Sequence, residues 1–177
     1  MRKVSVLLFI IAVSPLLGGL YGIIHDQLTY TICPEYYTKF KFYQFGLATA
    51  GDEALFSWPR LAVAKVGFMA TWWVGLPIGI VLGLLSLIFP DYKQMRQNAL
   101  KAILLTMGIA LVFGLFGLWY GAAVLAERGV DWWLPENLID RQGFIMVGSM
   151  HNFSYAGGLA GLIIAVGYLL WLRFKKA

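Results

Sequence analysis

The chain has 177 residues, 60% of them hydrophobic and 13% charged, with a mean hydropathy of +0.73. A soluble domain of this size has no use for four long apolar runs, so composition excludes an ordinary soluble enzyme or binding module. The net charge of +5 would fit nucleic acid on a soluble protein, but here the positive residues gather in short segments between apolar runs, and no nucleic-acid partner is expected.

The first apolar run covers 4–24 and is interrupted near its middle by Ser14 and Pro15. It is longer than the apolar stretch of a usual signal peptide and no clear small-x-small site follows, so it is expected to be a retained span. The segment 25–60 is a long outer loop. Leu28, Tyr30 and Ile32 alternate with Thr29 and Thr31, a strand pattern, and Cys33-Pro34-Glu35 breaks it. Lys39 and Lys41 then alternate with Phe40 and Phe42. A small β-hairpin on the outer face is expected; an interfacial helix starting at Pro34 also fits, because proline suits a first helical turn. The dense tyrosines favour the headgroup zone in either case. Cys33 is the only cysteine, which excludes an internal disulfide and CxxC chemistry.

The second span is expected over 61–89, the third over 102–126 and the fourth over 143–172, each long enough to cross a bilayer. A cytoplasmic loop, 90–101, and an outer loop, 127–142, join them. The inner segments hold Arg2, Lys3, Lys93, Arg96, Lys101, Arg173, Lys175 and Lys176 against one acid, Asp91. The other eight acids lie in outer segments. This asymmetry puts both termini in the cytoplasm, and the layout fits a bacterial inner membrane. The expected fold is an all-α integral membrane protein. It is one domain over 1–177, a four-transmembrane-helix bundle with a small outer-face β-hairpin or interfacial loop cap.

Glycine ladders run along the spans: Gly75, Gly79 and Gly83 on the second, Gly114, Gly117 and Gly121 on the third, Gly157 and Gly161 on the fourth. Glycine lets helix backbones approach closely where lipid offers no hydrophobic drive for association. These faces are expected to pack the bundle itself; homo-oligomers or a partner membrane subunit are the other use.

The functional signal is the level of the two histidines. His25 lies 22 residues after Lys3, and His151 lies 22 residues before Arg173. At a rise of ~1.5 Å per residue both reach ~33 Å, about one hydrocarbon thickness, so both imidazoles should meet the outer boundary together. Gly148, His151, Ser154, Tyr155 and Gly158 share one helical face. The same layer includes Asp26, Asn152, Tyr155 and Glu127, and Glu35 can fold over it from the loop. Two imidazoles with carboxylates suit a divalent transition metal such as zinc, copper or iron. His25, His151, Asp26 and Glu35 are therefore the candidate ligands, with Asn152, Tyr155 and Glu127 completing the polar layer. Haem held by both histidines is a narrower expectation. A buried polar network that only fixes helix register is the plainer one. Three functional readings follow: a metal-binding or redox site, a non-catalytic accessory or assembly subunit, and a lipid- or quinone-handling membrane enzyme. The inner halves of the spans carry almost no ionisable groups, which argues against a channel or pump within one chain.

Overall fold

The computed structural model describes residues 2–175. Four helical stretches are long and apolar enough to cross a membrane: Arg2–Ile32, Pro59–Ile88, Tyr92–Arg128 and Arg141–Phe174. We label the main helices α1 (Arg2–Ile32), α2 (Pro59–Leu85), α3 (Tyr92–Tyr120) and α4 (Arg141–Phe174). Composition and helix count fit an integral membrane protein.

Local chemistry sets the helix limits. Pro59 opens α2 at its first turn, where the missing N–H costs nothing. The α2 helix ends in a 3₁₀ turn, Ser86–Ile88. Asp91 caps α3, its carboxylate accepting from the N–H groups of Lys93 and Gln94 at 3.0 and 3.2 Å. Past Tyr120 the chain widens into a π-helical turn, Gly121–Leu125, and a last α turn, Ala126–Arg128. Gly129, at φ +81°, stops it. Asp140 caps α4 by accepting from Gly143 N–H at 2.8 Å.

The ladder glycines are consumed inside two helix pairs. In the α1–α2 pair, a Cβ at Gly22 would strike the Gly67 carbonyl, one at Gly67 the Gly22 carbonyl, and one at Gly75 the Ser14 carbonyl. Thr71 Oγ1 also donates across this contact to Gly18 O at 2.8 Å. In the α3–α4 pair, Gly117 faces Phe153 and the Ser149 carbonyl, and Gly161 faces the Thr106 carbonyl. Backbone meets backbone within each pair. The two pairs meet chiefly at their ends. At the basic end Ile10, Leu82, Met95, Ile103 and Leu169 form a buried cluster. There Lys3 donates to Leu87 O and Arg173 to Ile88 O, at 3.3 and 3.1 Å. At the cap end Tyr36, Tyr37, Phe42, Val66, Phe144 and Val147 form a second.

The hairpin expectation fails, and the reason is local. Among the described residues no strand forms. The α1 helix continues through 28–32, and its threonine hydroxyls are satisfied within the helix itself: Thr29 Oγ1 donates to His25 O at 3.2 Å and Thr31 Oγ1 to Gln27 O at 2.9 Å. The helix stops at Ile32, two residues before Pro34, which disfavours helical geometry in the residue before it. Pro34 then starts a new helical stretch, its carbonyl accepting from Tyr37 and Thr38 N–H at 2.9 and 3.0 Å. This stretch passes through a π-helical segment, Tyr37–Lys41, into Phe42–Gln44. The alternation of Lys39 with Phe40 therefore has a helical meaning, with Lys39 reaching back one turn to Glu35 at 2.6 Å. Helix also extends into the expected loop 90–101, since α3 begins at Tyr92.

Candidate functional site

Because α1 runs eight residues past position 24, His25 and Asp26 lie inside the bundle rather than in a loop. The α4 helix brings His151 and Ser154, one turn apart, to the same level. His25, Asp26 and His151 are 5%, 3% and 6% exposed, so all three polar side chains are nearly dry. One ligand atom from each lies within 4.8 Å of the others.

Asp26 Oδ1 is the centre. His25 Nδ1 lies 3.1 Å from it and His151 Nε2 lies 3.3 Å from it. Each imidazole is held from behind. His151 Nδ1 is 2.9 Å from the Val147 carbonyl, which can only accept, so this nitrogen carries the proton. His25 Nε2 is 3.0 Å from Ser154 Oγ, which can accept or donate. Asp26 Oδ2 is buried without a hydrogen-bond partner. The Tyr37 hydroxyl, bonded to Thr29 Oγ1 at 2.6 Å, adds a polar group beside the carboxyl.

Aromatic rings seal the site on the cap side. Tyr36 stacks on His151 with centroids 4.9 Å apart, and the two imidazoles meet edge to face at 4.7 Å. Ring contact and a shared carboxylate leave no gap for a porphyrin between His25 and His151, so the haem expectation is corrected on geometry. Lys41 is 6% exposed, donates to Gln44 Oε1 at 2.9 Å and lies over the Tyr36 ring at 5.7 Å. Burial pulls the Lys41 ammonium below its ordinary range, while the field of Asp26 opposes that shift. A lysine that reads as a surface charge in the sequence is thus part of the seal above the triad.

Glu35 does not join the triad. Its Oε1 accepts from Lys39 Nζ at 2.6 Å and from Ile139 N–H at 3.1 Å, and its Oε2 accepts from Asp140 N–H at 2.6 Å. It ties the cap to the segment before α4. Burial pushes its carboxyl up, but the hydrogen bond and charge of Lys39 together with the two backbone donors hold it below the usual value. Glu127 and Asn152 are exposed, away from the triad. Tyr155 is 46% exposed and lines a chamber below the triad. Cys33 is buried, lies outside the ligand cluster of His25, Asp26 and His151, and burial pushes its thiol up to about 11.

That chamber occupies the gap between the two helix pairs. Its volume is about 370 Å³, and all four helices contribute walls, with His25, Asp26, His151 and Ser154 among the lining residues. Comparison of the chain with protein-family models, curated proteins and solved structures finds no match. The geometry of this site is therefore what bears on function.

Proposed function

We propose that the protein is an integral membrane protein whose His25–Asp26–His151 triad holds one divalent transition-metal ion. One observation carries this reading: the near nitrogens of both imidazoles converge on the same carboxylate oxygen while the far nitrogens are bonded to Ser154 and Val147. With a proton on each far nitrogen, the near nitrogens present lone pairs to an oxygen that also presents lone pairs. Such a cluster is repulsive until a cation sits in it. Metal–ligand bonds of about 2.05 Å at tetrahedral angles separate neighbouring ligand atoms by about 3.3 Å. The two separations from Asp26 Oδ1, 3.1 and 3.3 Å, fit that edge length, and all three ligand atoms lie within 4.8 Å of one another. Ser154 and Val147 then act as the outer partners that fix tautomer and ring orientation. Three protein ligands leave a fourth position, the pattern of a reactive centre rather than a purely structural one. Zinc, iron and copper all accept this donor set. The clustering of Lys3 and Arg173 at the end opposite the cap supports a cytoplasmic basic end, with the triad towards the outer leaflet.

A proton is the competing cation. His25 can satisfy itself as a neutral ring, donating from Nδ1 to Asp26 and accepting from Ser154. His151 would then be an imidazolium paired with Asp26, and the triad would be a buried latch between α1 and α4.

Elemental analysis and cobalt titration of the detergent-purified protein separate the two. Near-stoichiometric metal and visible cobalt ligand-field bands are expected in the wild type, and both are expected to vanish in Asp26→Asn. A metal-free wild type that also gives no cobalt bands would remove the metal reading and leave the proton.

A further inference from the structure

We infer that the chamber between the helix pairs binds a single-tailed amphiphile with a small, uncharged oxygen head. The head, a hydroxyl or carbonyl, would meet the triad, and an isoprenoid or alkyl tail would fill the space below. This names the ligand class of the proposed site, but it does not require the metal.

The walls and the head end differ in chemistry. Ser14, Thr71 and Thr106 all line the chamber, yet each spends its hydroxyl on a helix carbonyl: Ser14 on Ile10 at 2.7 Å, Thr71 on Gly18 and Gly67 at 2.8 Å, Thr106 on Ala102 at 3.0 Å. What remains for a ligand along the walls is apolar. At the triad end two buried polar atoms, the Asp26 Oδ2 acceptor and the Tyr21 hydroxyl, make no hydrogen bond within 3.5 Å, with Tyr37 and Ser154 as their nearby polar groups. One acceptor and one donor at the end of an apolar space match a small oxygen head on an apolar tail.

Closure limits the head. Tyr36 and Tyr37, 5% and 0% exposed, cover the triad from the cap side. A phosphate or other bulky head would be trapped without water, and an isolated charge there is costly. Entry is from the side. Tyr155 and Leu159, 46% and 65% exposed, line both the chamber and the outside of α4, so the chamber reaches the apolar surface of the bundle. That surface is where a molecule dissolved in the bilayer would arrive.

Gly158 gives the test. It lines the chamber, and a Cβ built on it meets nothing within 4 Å, so Gly158→Leu fills ligand space without striking a helix backbone. Gly167, further along α4, has equally open surroundings and does not line the chamber, so Gly167→Leu is the control. Calorimetric titration in detergent would use farnesol, a two-isoprene ubiquinone and palmitate, on chelator-treated and zinc-loaded protein. Saturable binding of at least one neutral probe is expected in the wild type and in Gly167→Leu. In Gly158→Leu that binding should be at least about tenfold weaker, with the unfolding midpoint unchanged or higher. Farnesol alone would mark a hydroxyl head, and ubiquinone alone a carbonyl head. No saturable neutral binding, equal binding in Gly158→Leu, or palmitate binding the chelator-treated protein as tightly as the neutral probes would overturn the inference. Metal content, measured on the same samples, reports the ion separately. Neutral binding in a protein that never takes metal would remove the metal centre and keep the chamber.

Discussion

The contact within each helix pair and the seam between the pairs are built oppositely. Inside α1–α2, glycine faces carbonyl, and no side chain fits between the backbones at Gly22, Gly67 and Gly75. Across the seam the walls are side chains such as Val74, Ile78, Met107 and Leu162, and they leave about 370 Å³ unfilled. Small residues remove the space that large residues would hold open. The pairs are thus the closely packed parts, and the seam is where volume and unsatisfied polar atoms coexist.

The contrast is sharpest at the glycines. Among the glycine changes Gly22→Leu should be the most damaging, because the new Cβ strikes the Gly67 carbonyl and the Thr71 hydroxyl. Overpacking of this kind costs roughly 1–3 kcal/mol or more, so a large drop in the detergent unfolding midpoint is expected. Gly158→Leu should leave that midpoint unchanged or raise it, since glycine inside a helix costs roughly 0.5–1 kcal/mol relative to alanine. Equal damage at the two sites would break the distinction between pair and seam.

The triad gives an effect at least as large. Asp26→Leu removes the carboxylate on which both histidines converge. With a metal or a proton there, breaking a buried pair typically costs about 3–5 kcal/mol. His25→Leu/Asp26→Leu/His151→Leu should recover part of that loss, because it removes the stranded partners while keeping the buried volume. If the triple variant is worse than Asp26→Leu alone, the three groups are not one unit.

The cap gives a smaller effect with a clear pH sign. The folded Glu35 carboxyl titrates below its unfolded value of 4.5, so its contribution is present above that value and is lost as pH falls through the folded value. The midpoint should hold from neutral pH to about 4.5 and drop below it. Glu35→Gln should flatten that drop, as followed by tyrosine fluorescence of the cap. An unchanged acid profile in Glu35→Gln would mean that the anchor at Ile139 and Asp140 carries no stability. Lys39→Met removes the ion pair with Glu35 and the hydrogen bond to Asn137 O, and should lower the midpoint by less than the triad variants do.

How far the sequence discloses this molecule follows the same division. The four spans are legible because apolar length is a local property. His25 and His151 share a level that can be counted along straight helices from Lys3 and Arg173, and the structure brings them into ring contact. The cap misleads because alternation at 28–32 and 39–42 has two physical causes. Threonines bonded to their own helix and lysines reaching Glu35 or Gln44 produce the same pattern as a half-buried strand. Glu35 was out of reach for a related reason: its partners are backbone N–H groups of residues 139 and 140, which have no signature in composition. Lys41 and Tyr36 above the triad are equally hidden, because a π-helical segment sets where they point. The chamber has no sequence signal at all, since a void is a property of the gap between helices.

The π-helical turn Gly121–Leu125 has one more implication, concerning insertions and deletions. A wide turn of this kind accommodates one residue more than an α-helical path between the same points. Deleting Ala122 would let the segment relax to ordinary α-helix, with only the short turn Ala126–Arg128 and the loop beyond it left to adjust. Deleting Leu115 instead would turn everything after it by about 100° and swing Gly117 and Gly121 off α4. Length can therefore vary by one residue at the cap end of α3 while the register below stays fixed, which makes this turn the natural place for related chains to differ in number without differing in architecture.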